Sequence, residues 1–365
     1  GQGAEENEMA AIPASSDQIS VDWLNEVIDG SVLTSGNKIE NFSIEPVGED
    51  LGYLSYLYRI VPTYSSPDDT LPKTLIAKFP STEEGSRSTG NSLRAFERES
   101  LFYMHCSDES PCAPPAHYFS HSDVAGDQYI LIMEDLDGCR FVNQVDGTEP
   151  DDAKKCMIAM AEHHAMYWDK TDTLDWVPPF SDYGELYKPL IESGAPLMKK
   201  NWPHVMTETL SEHFDRAGSL YPAITKALQS LPTTLAHCDP RIENIAFAGE
   251  TPRFYDWQLV ARGPAAYDVM YFLKQSMDRE VRRTCEDELF QVYVDTLQRH
   301  GVNYSVEQLT KDIALSTCTI WAFLAMIGNF FFPSEVNEEI AAVTMPRWSA
   351  MIEDFGGVEK LAELS

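Results

Sequence analysis

His237-Cys238-Asp239-Pro240-Arg241-Ile242-Glu243-Asn244 puts an aspartate and an asparagine on one loop, and Asp256-Trp257-Gln258 brings a second aspartate soon after. Thr234-Leu235-Ala236 is a short apolar run feeding that loop. Ile245-Ala246-Phe247 reads as a strand, Gly249-Glu250-Thr251-Pro252 as a turn and Arg253-Phe254-Tyr255 as the returning strand. An antiparallel hairpin draws its ends together, so Asn244, before the first arm, is expected near Asp256, after the second, with the Asp239 loop beside both.

An Asp, an Asn and an Asp so spaced suit magnesium-assisted phosphoryl transfer. That reaction asks a protein mainly to orient a hydroxyl, hold metal ions and offset charge spreading over the moving phosphate. In this reading Asp239 accepts the hydroxyl proton, Asn244 binds one Mg2+ through its amide oxygen, and Asp256 binds the Mg2+ that bridges nucleotide phosphates. Arg241 adds positive charge near the transferring group. His237 braces the loop through its ring nitrogens rather than moving protons. Acids and amides of this kind also serve as turn formers and caps, but here the full H-x-D-x-x-x-x-N spacing is joined by a strand-terminal D-W-Q.

Those motifs, with Gly263-Pro264 and Tyr267-Asp268 after them, resemble the ecdysteroid kinase-like family within the aminoglycoside and choline phosphotransferase superfamily. The resemblance spans roughly residues 40 to 350. It implies an α+β, two-lobed protein kinase-like fold, with a small antiparallel-sheet lobe carrying one main helix and a larger, mostly helical lobe. It also implies ATP as cofactor and a small-molecule alcohol as acceptor, ecdysteroid-like or of the choline or aminoglycoside kind. One departure stands at Cys238, where the family usually has Gly. The loop there loses backbone freedom and gains a thiol beside the base, which keeps a nucleotide-binding pseudokinase open as the alternative.

The expected nucleotide-gripping parts occur in order upstream. In Thr74-Leu75-Ile76-Ala77-Lys78-Phe79, strand alternation puts Lys78 on the face opposite Leu75, Ala77 and Phe79, from where it would reach the α- and β-phosphates. A helix is expected from Ser92 to His105, with Ala95, Phe96, Glu99, Phe102 and Tyr103 on one stripe. A carboxylate inside an apolar stripe needs a cation, and Lys78 with Glu99 forms the strand-lysine and helix-glutamate pair that the resemblance implies. Glu97 is the competing partner. Gly48, Gly52 and Ser55 lie in a loop before the strand Tyr56–Val61, where a phosphate-covering turn belongs. The apolar strand Tyr129–Met133 ends in Glu134-Asp135-Leu136. The resemblance makes this the hinge, with backbone groups from Met133 to Leu136 meeting the adenine edge.

These boundaries give an acidic, flexible tail over 1–18, a first lobe over 19–133, a hinge over 134–137 and a second lobe over 138–365. With 365 residues, the chain is long enough for two lobes with a sizeable core. Seven cysteines with no C-x-x-C pair argue against a disulfide framework and for a reducing compartment, hence a cytoplasmic location. A net charge of -31 excludes a basic nucleic-acid surface and opposes anionic membranes. It favours a cationic substrate only if the charge gathers in the cleft, and a solubilising surface is the preferred explanation because global charge does not locate charge in a cleft.

The uncharged stretch from Ile313 to Pro333 is long enough to span a bilayer, but its Ser, Thr and Asn residues and missing basic flanks read as a buried helix, with no membrane span. The remaining histidines, His117, His121, His163 and His164, lack metal-ligand spacing. Trp168, Trp176, Tyr183, Tyr187, Trp202 and Trp321 could line an acceptor pocket, but aromatics in such numbers more often fill cores, and no acceptor residue is assigned from them.

Overall fold

The computed structural model of the chain describes residues 11–34, 36–48 and 54–365. Gly52, expected to cover phosphate, lies outside them, as do residues 1–10 of the expected tail. The chain divides into two compact units: the first runs to Glu109 and resumes over Pro115–Asp137, and the second joins Ser110–Pro114 to Gly138–Ser365.

The first unit is a five-stranded sheet of β1 (Ile39–Pro46), β2 (Ser55–Tyr64), β3 (Leu75–Pro80), β4 (His117–Asp123) and β5 (Gln128–Glu134). Its order is β1-β2-β3-β5-β4, antiparallel at every pairing. Helix α1 (Val21–Ile28) starts where the Ser20 hydroxyl accepts the Trp23 amide at 3.0 Å, the usual role of a serine N-cap. It presses Trp23, Leu24 and Ile28 against Ile39, Ile60, Leu75, Ala77, Phe79, Ile130 and Ile132 on one sheet face. Ile12 and Ile19 join that core.

The opposite face carries α3 (Ala95–His105), preceded by α2 (Glu84–Ser92). The single helix expected from Ser92 is corrected here. Arg94 adopts a left-handed φ of 57°, turns the chain, and α3 begins one residue later. An αL residue cannot continue a right-handed helix.

In the second unit, β6 (Arg140–Phe141) pairs with β8 (Ile245–Ala248), which pairs with β9 (Thr251–Phe254). The strand β7 (Thr233–Ala236) pairs with β10 (Ala261–Pro264). Around these lie α4 (Pro150–Tyr167), α5 (Tyr183–Leu186), α6 (Lys188–Asn201), α7 (Glu208–Glu212), α8 (Phe214–Ser219) and α9 (Tyr221–Gln229). After the strands come α10 (Ala265–Ser276), α11 (Arg279–Arg299), α12 (Val306–Thr317), α13 (Ile320–Ile327), α14 (Glu335–Phe355) and α15 (Gly357–Glu363).

Every residue of α10 is buried, which makes it the central helix of this unit. Among the described residues, Val306–Ile327 is the one stretch long and apolar enough to cross a membrane. It is two helices, and 67% of its most apolar window is buried in protein. Together the units form the α+β architecture of the kinase-like fold, a small antiparallel sheet followed by a larger helical part.

Candidate active site

The hairpin expected after the loop is β8–β9, with Ile245 opposite Phe254. One residue beyond each arm, the Tyr255 amide donates to the Asn244 carbonyl at 2.9 Å, so Asn244 and Asp256 sit at the closed end of one ladder. The Asn244 side-chain amide donates to the Asp239 carbonyl at 3.0 Å and to Asp239 Oδ2 at 3.1 Å. Its NH2 group is therefore spent on holding the aspartate, and its Oδ1 is the atom left for a cation. The other carboxylate oxygen, Asp239 Oδ1, accepts from the Tyr271 hydroxyl at 2.7 Å.

Arg241 lies 3.8 Å from Asp239 Oδ1, and its Nε is buried without a hydrogen-bond partner while the rest of its side chain is a third exposed. The Asp239 charge raises the Arg241 pKa further, against the effect of burial, so the guanidinium is permanently positive.

His237 braces the loop as its position implied. The Asp239 amide donates to Nδ1 at 3.1 Å, which makes Nδ1 the acceptor and assigns the ring proton to Nε2, which donates to the Tyr255 carbonyl at 2.9 Å. One imidazole thus ties the Asp239 loop to the end of β9. Its ring packs 4.4 Å from that of Trp257, which is fully buried and anchors the Asp-Trp-Gln turn.

Two loop residues hold left-handed backbone: Cys238 with φ 69° and Asp256 with φ 59°. Glycine adopts this conformation freely, and a residue with a Cβ pays roughly 1 to 2 kcal/mol for it. Cys238 therefore keeps the conformation for which a glycine is suited, and its strain is held in place by the buried Asp268. That carboxylate accepts the His237 amide at 2.9 Å, the Cys238 amide at 2.8 Å and His164 Nε2 at 2.8 Å. Burial alone would raise the Asp268 pKa, but the hydrogen bond and electrostatic interaction with His164, with help from His237 and the Cys238 amide, bring it below the ordinary value.

In the first unit, Lys78 and Glu99 meet as alternation and stripe required: Nζ lies 2.8 Å from Oε1 and 3.1 Å from Oε2, with both side chains at least nine-tenths buried. Glu97 instead pairs with Arg94 at 2.9 Å on the surface. Ser55, at the start of β2, lines the same small pocket as Lys78 and Glu99. Gly48 follows β1 with a φ of 74°, a turn conformation that glycine takes without strain.

The residues expected to form the hinge divide by role. Met133 is in β5, opposite Ile76. The Glu134 amide donates to the Ala116 carbonyl at 2.9 Å, and its Oε1 accepts the Ala116 amide at 3.0 Å, so its N–H is committed to the chain rather than to a ligand. Asp135 binds Arg59 at 2.6 Å. Leu136 is buried and follows directly.

For a divalent cation, the donors at this end of the ladder are hard oxygens, the Asp256 carboxylate and Asn244 Oδ1. These fit Mg2+, which needs only one or two carboxylates when phosphate oxygens and water complete its shell. Among the described residues, no group of three or more His, Cys, Asp or Glu is placed to hold a metal by itself. Sequence reasoning missed Tyr271, whereas Asp268 was already among the residues that carry the family resemblance. Both lie on one turn of α10, and an acid three residues before a tyrosine in a mainly apolar helix was the available signal.

The fold and these contacts are those that the resemblance to the ecdysteroid kinase-like family implies. The sequence model of the ecdysteroid kinase-like family matches residues 50–303, well over half of the chain, and the protein belongs to that family.

Among solved structures, a choline kinase from Cryptosporidium parvum matches with a TM-score of 0.53 at 12% identity, over 94% of this chain and 95% of its own. A choline/ethanolamine kinase family protein from Mesorhizobium loti matches with a TM-score of 0.52 at 15% identity, over 94% and 98%. A protein from Ralstonia eutropha described as an aminoglycoside phosphotransferase gives 0.53 at 13%, over 92% and 96%. At these identities the likeness is one of fold. A comparison with curated proteins finds no match.

Proposed function

We propose that the protein is an ATP-dependent O-phosphotransferase that moves the γ-phosphate to a hydroxyl of a small molecule. The observation that carries this reading is the doubly held Asp239. Tyr271 fixes one carboxylate oxygen and Asn244 the other, on a loop whose neighbours Asn244 and Asp256 supply oxygen donors for Mg2+. In this role Asp239 orients the acceptor hydroxyl and takes its proton, and Arg241 offsets charge on the transferring group. Mg2+, when bound at Asn244 and Asp256, would neutralise charge on the nucleotide phosphates.

The buried Lys78–Glu99 pair of the first unit suits phosphate recognition, since a paired ammonium is held in one place. Ser55 and Gly48 would cover the phosphates, and the Met133–Leu136 backbone would meet the adenine. All seven cysteines are free thiols, which favours a reducing compartment, and we place the protein in the cytoplasm. Membership of the family supports an alcohol acceptor and leaves its identity to a panel. The protein is incubated with Mg-ATP and, separately, steroid, choline and aminoglycoside alcohols, and products are read by mass for a gain of one phosphate. Transfer to none of them, with ATP bound but not consumed, would favour the pseudokinase alternative.

A further inference from the structure

Lys274 is a buried amine that the phosphoryl-transfer reading leaves unused. It sits in α10 with 1% of its surface exposed, where an ammonium needs a partner. Among the described residues it makes no ion pair. Its Nζ faces three rings instead, 3.5 Å from the centroid of Phe323, 4.3 Å from Tyr271 and 5.2 Å from Trp348. Tyr271 meets Phe323 edge to face at 83°, and Phe323 meets Trp348 at 84°, so α10, α13 and α14 each supply one wall of a box.

Such boxes bind quaternary ammonium groups through the negative faces of the rings. This one stands a single side chain from the candidate base, because the Tyr271 wall is the residue whose hydroxyl holds Asp239. Burial pushes the Lys274 amine well below the usual lysine range, while Asp239 pulls it back up.

We infer that Lys274 plugs an aromatic cage beside Asp239, which makes the acceptor an uncharged alcohol and shuts out quaternary-ammonium alcohols; this rests on reading the Asp239 loop as the acceptor site. A cationic ligand would find the ring faces already occupied and an amine in its place. The charge of -31 does not reverse this, because a net charge raises the concentration of cations near the surface without emptying a filled cage.

The probe is tetramethylammonium, which has no hydroxyl, titrated calorimetrically without nucleotide into wild type, Lys274→Ala and Lys274→Met. Lys274→Ala removes the plug and should bind the probe about tenfold or more tighter than wild type. Lys274→Met keeps the cage filled with a neutral chain and should match wild type. Equal binding by wild type and a folded Lys274→Ala, at any affinity, would overturn the inference. Should Lys274→Ala fail to fold, wild type and Lys274→Met still decide: saturable millimolar or tighter binding by either overturns it, and binding by neither supports it. Because no turnover is read, failure of the kinase reading appears separately, as absent phosphate transfer in the acceptor panel.

Discussion

Tyr271 donates its hydroxyl hydrogen to Asp239 Oδ1 at 2.7 Å, from a helix that shares no sequence neighbourhood with the loop. Burial, reinforced by the Asp239 charge, raises the tyrosine pKa well above its ordinary value, so the phenol stays protonated and remains a donor at every working pH. Tyr271→Phe keeps the ring and deletes the donor. Turnover should fall about tenfold through loss of one charge-assisted hydrogen bond, while the KM for ATP holds. A fall in nucleotide affinity with turnover intact would assign Tyr271 elsewhere.

The Lys78–Glu99 pair is buried on both sides, so removing one partner strands a charge. Lys78→Met and Glu99→Gln should each cost about 3 to 5 kcal/mol by denaturant unfolding, with the double variant losing far less than their sum. Simple additivity would show that the two side chains do not depend on each other. Lys78→Met should also weaken Mg-ATP binding in whatever fraction stays folded.

Cys238 offers a test of stored backbone strain. At a φ of 69°, Cys238→Gly should leave thermal stability within about 1 kcal/mol of wild type, since relief of strain is offset by greater freedom in the unfolded chain. Cys238→Val adds a β-branch to a left-handed residue and should cost at least about 1 to 2 kcal/mol more. A valine variant as stable as wild type would mean that this loop is not held in the left-handed conformation.

Asp268 links the loop to acid sensitivity. Its folded pKa lies below its ordinary value of 3.8, so its contribution is complete above that value and is lost as pH falls through the lower folded one. Asp268→Asn should cost about 2 to 4 kcal/mol at neutral pH and flatten the loss of stability below about pH 4. Unfolding midpoints measured across that range check both signs. An unchanged slope would remove Asp268 as its source.

Much of this was legible in the sequence because it depends on local periodicity. Alternation in β3 placed Lys78 opposite Leu75, and a helical stripe selected Glu99 over Glu97. A turn between two short apolar runs predicted the hairpin that brings Asn244 to the end of the ladder bearing Asp256. What was illegible depends on long-range packing. The Arg94 break between α2 and α3 is a backbone choice that no side-chain pattern announces. The Phe323 and Trp348 walls around Lys274 come from helices that meet α10 only in the folded chain. The six aromatics considered for an acceptor pocket include Tyr183, Tyr187, Trp202 and Trp321, all buried in the interior, while the box beside Asp239 uses others.

The most direct test is the rate of phosphate transfer from Mg-ATP by wild type and Asp239→Asn, read as acceptor mass gain across the alcohol panel and as ADP formed. The account predicts transfer by wild type to an uncharged alcohol and a loss of about 10²- to 10⁴-fold in the variant, with ATP binding largely retained. Equal rates from the two proteins would contradict it.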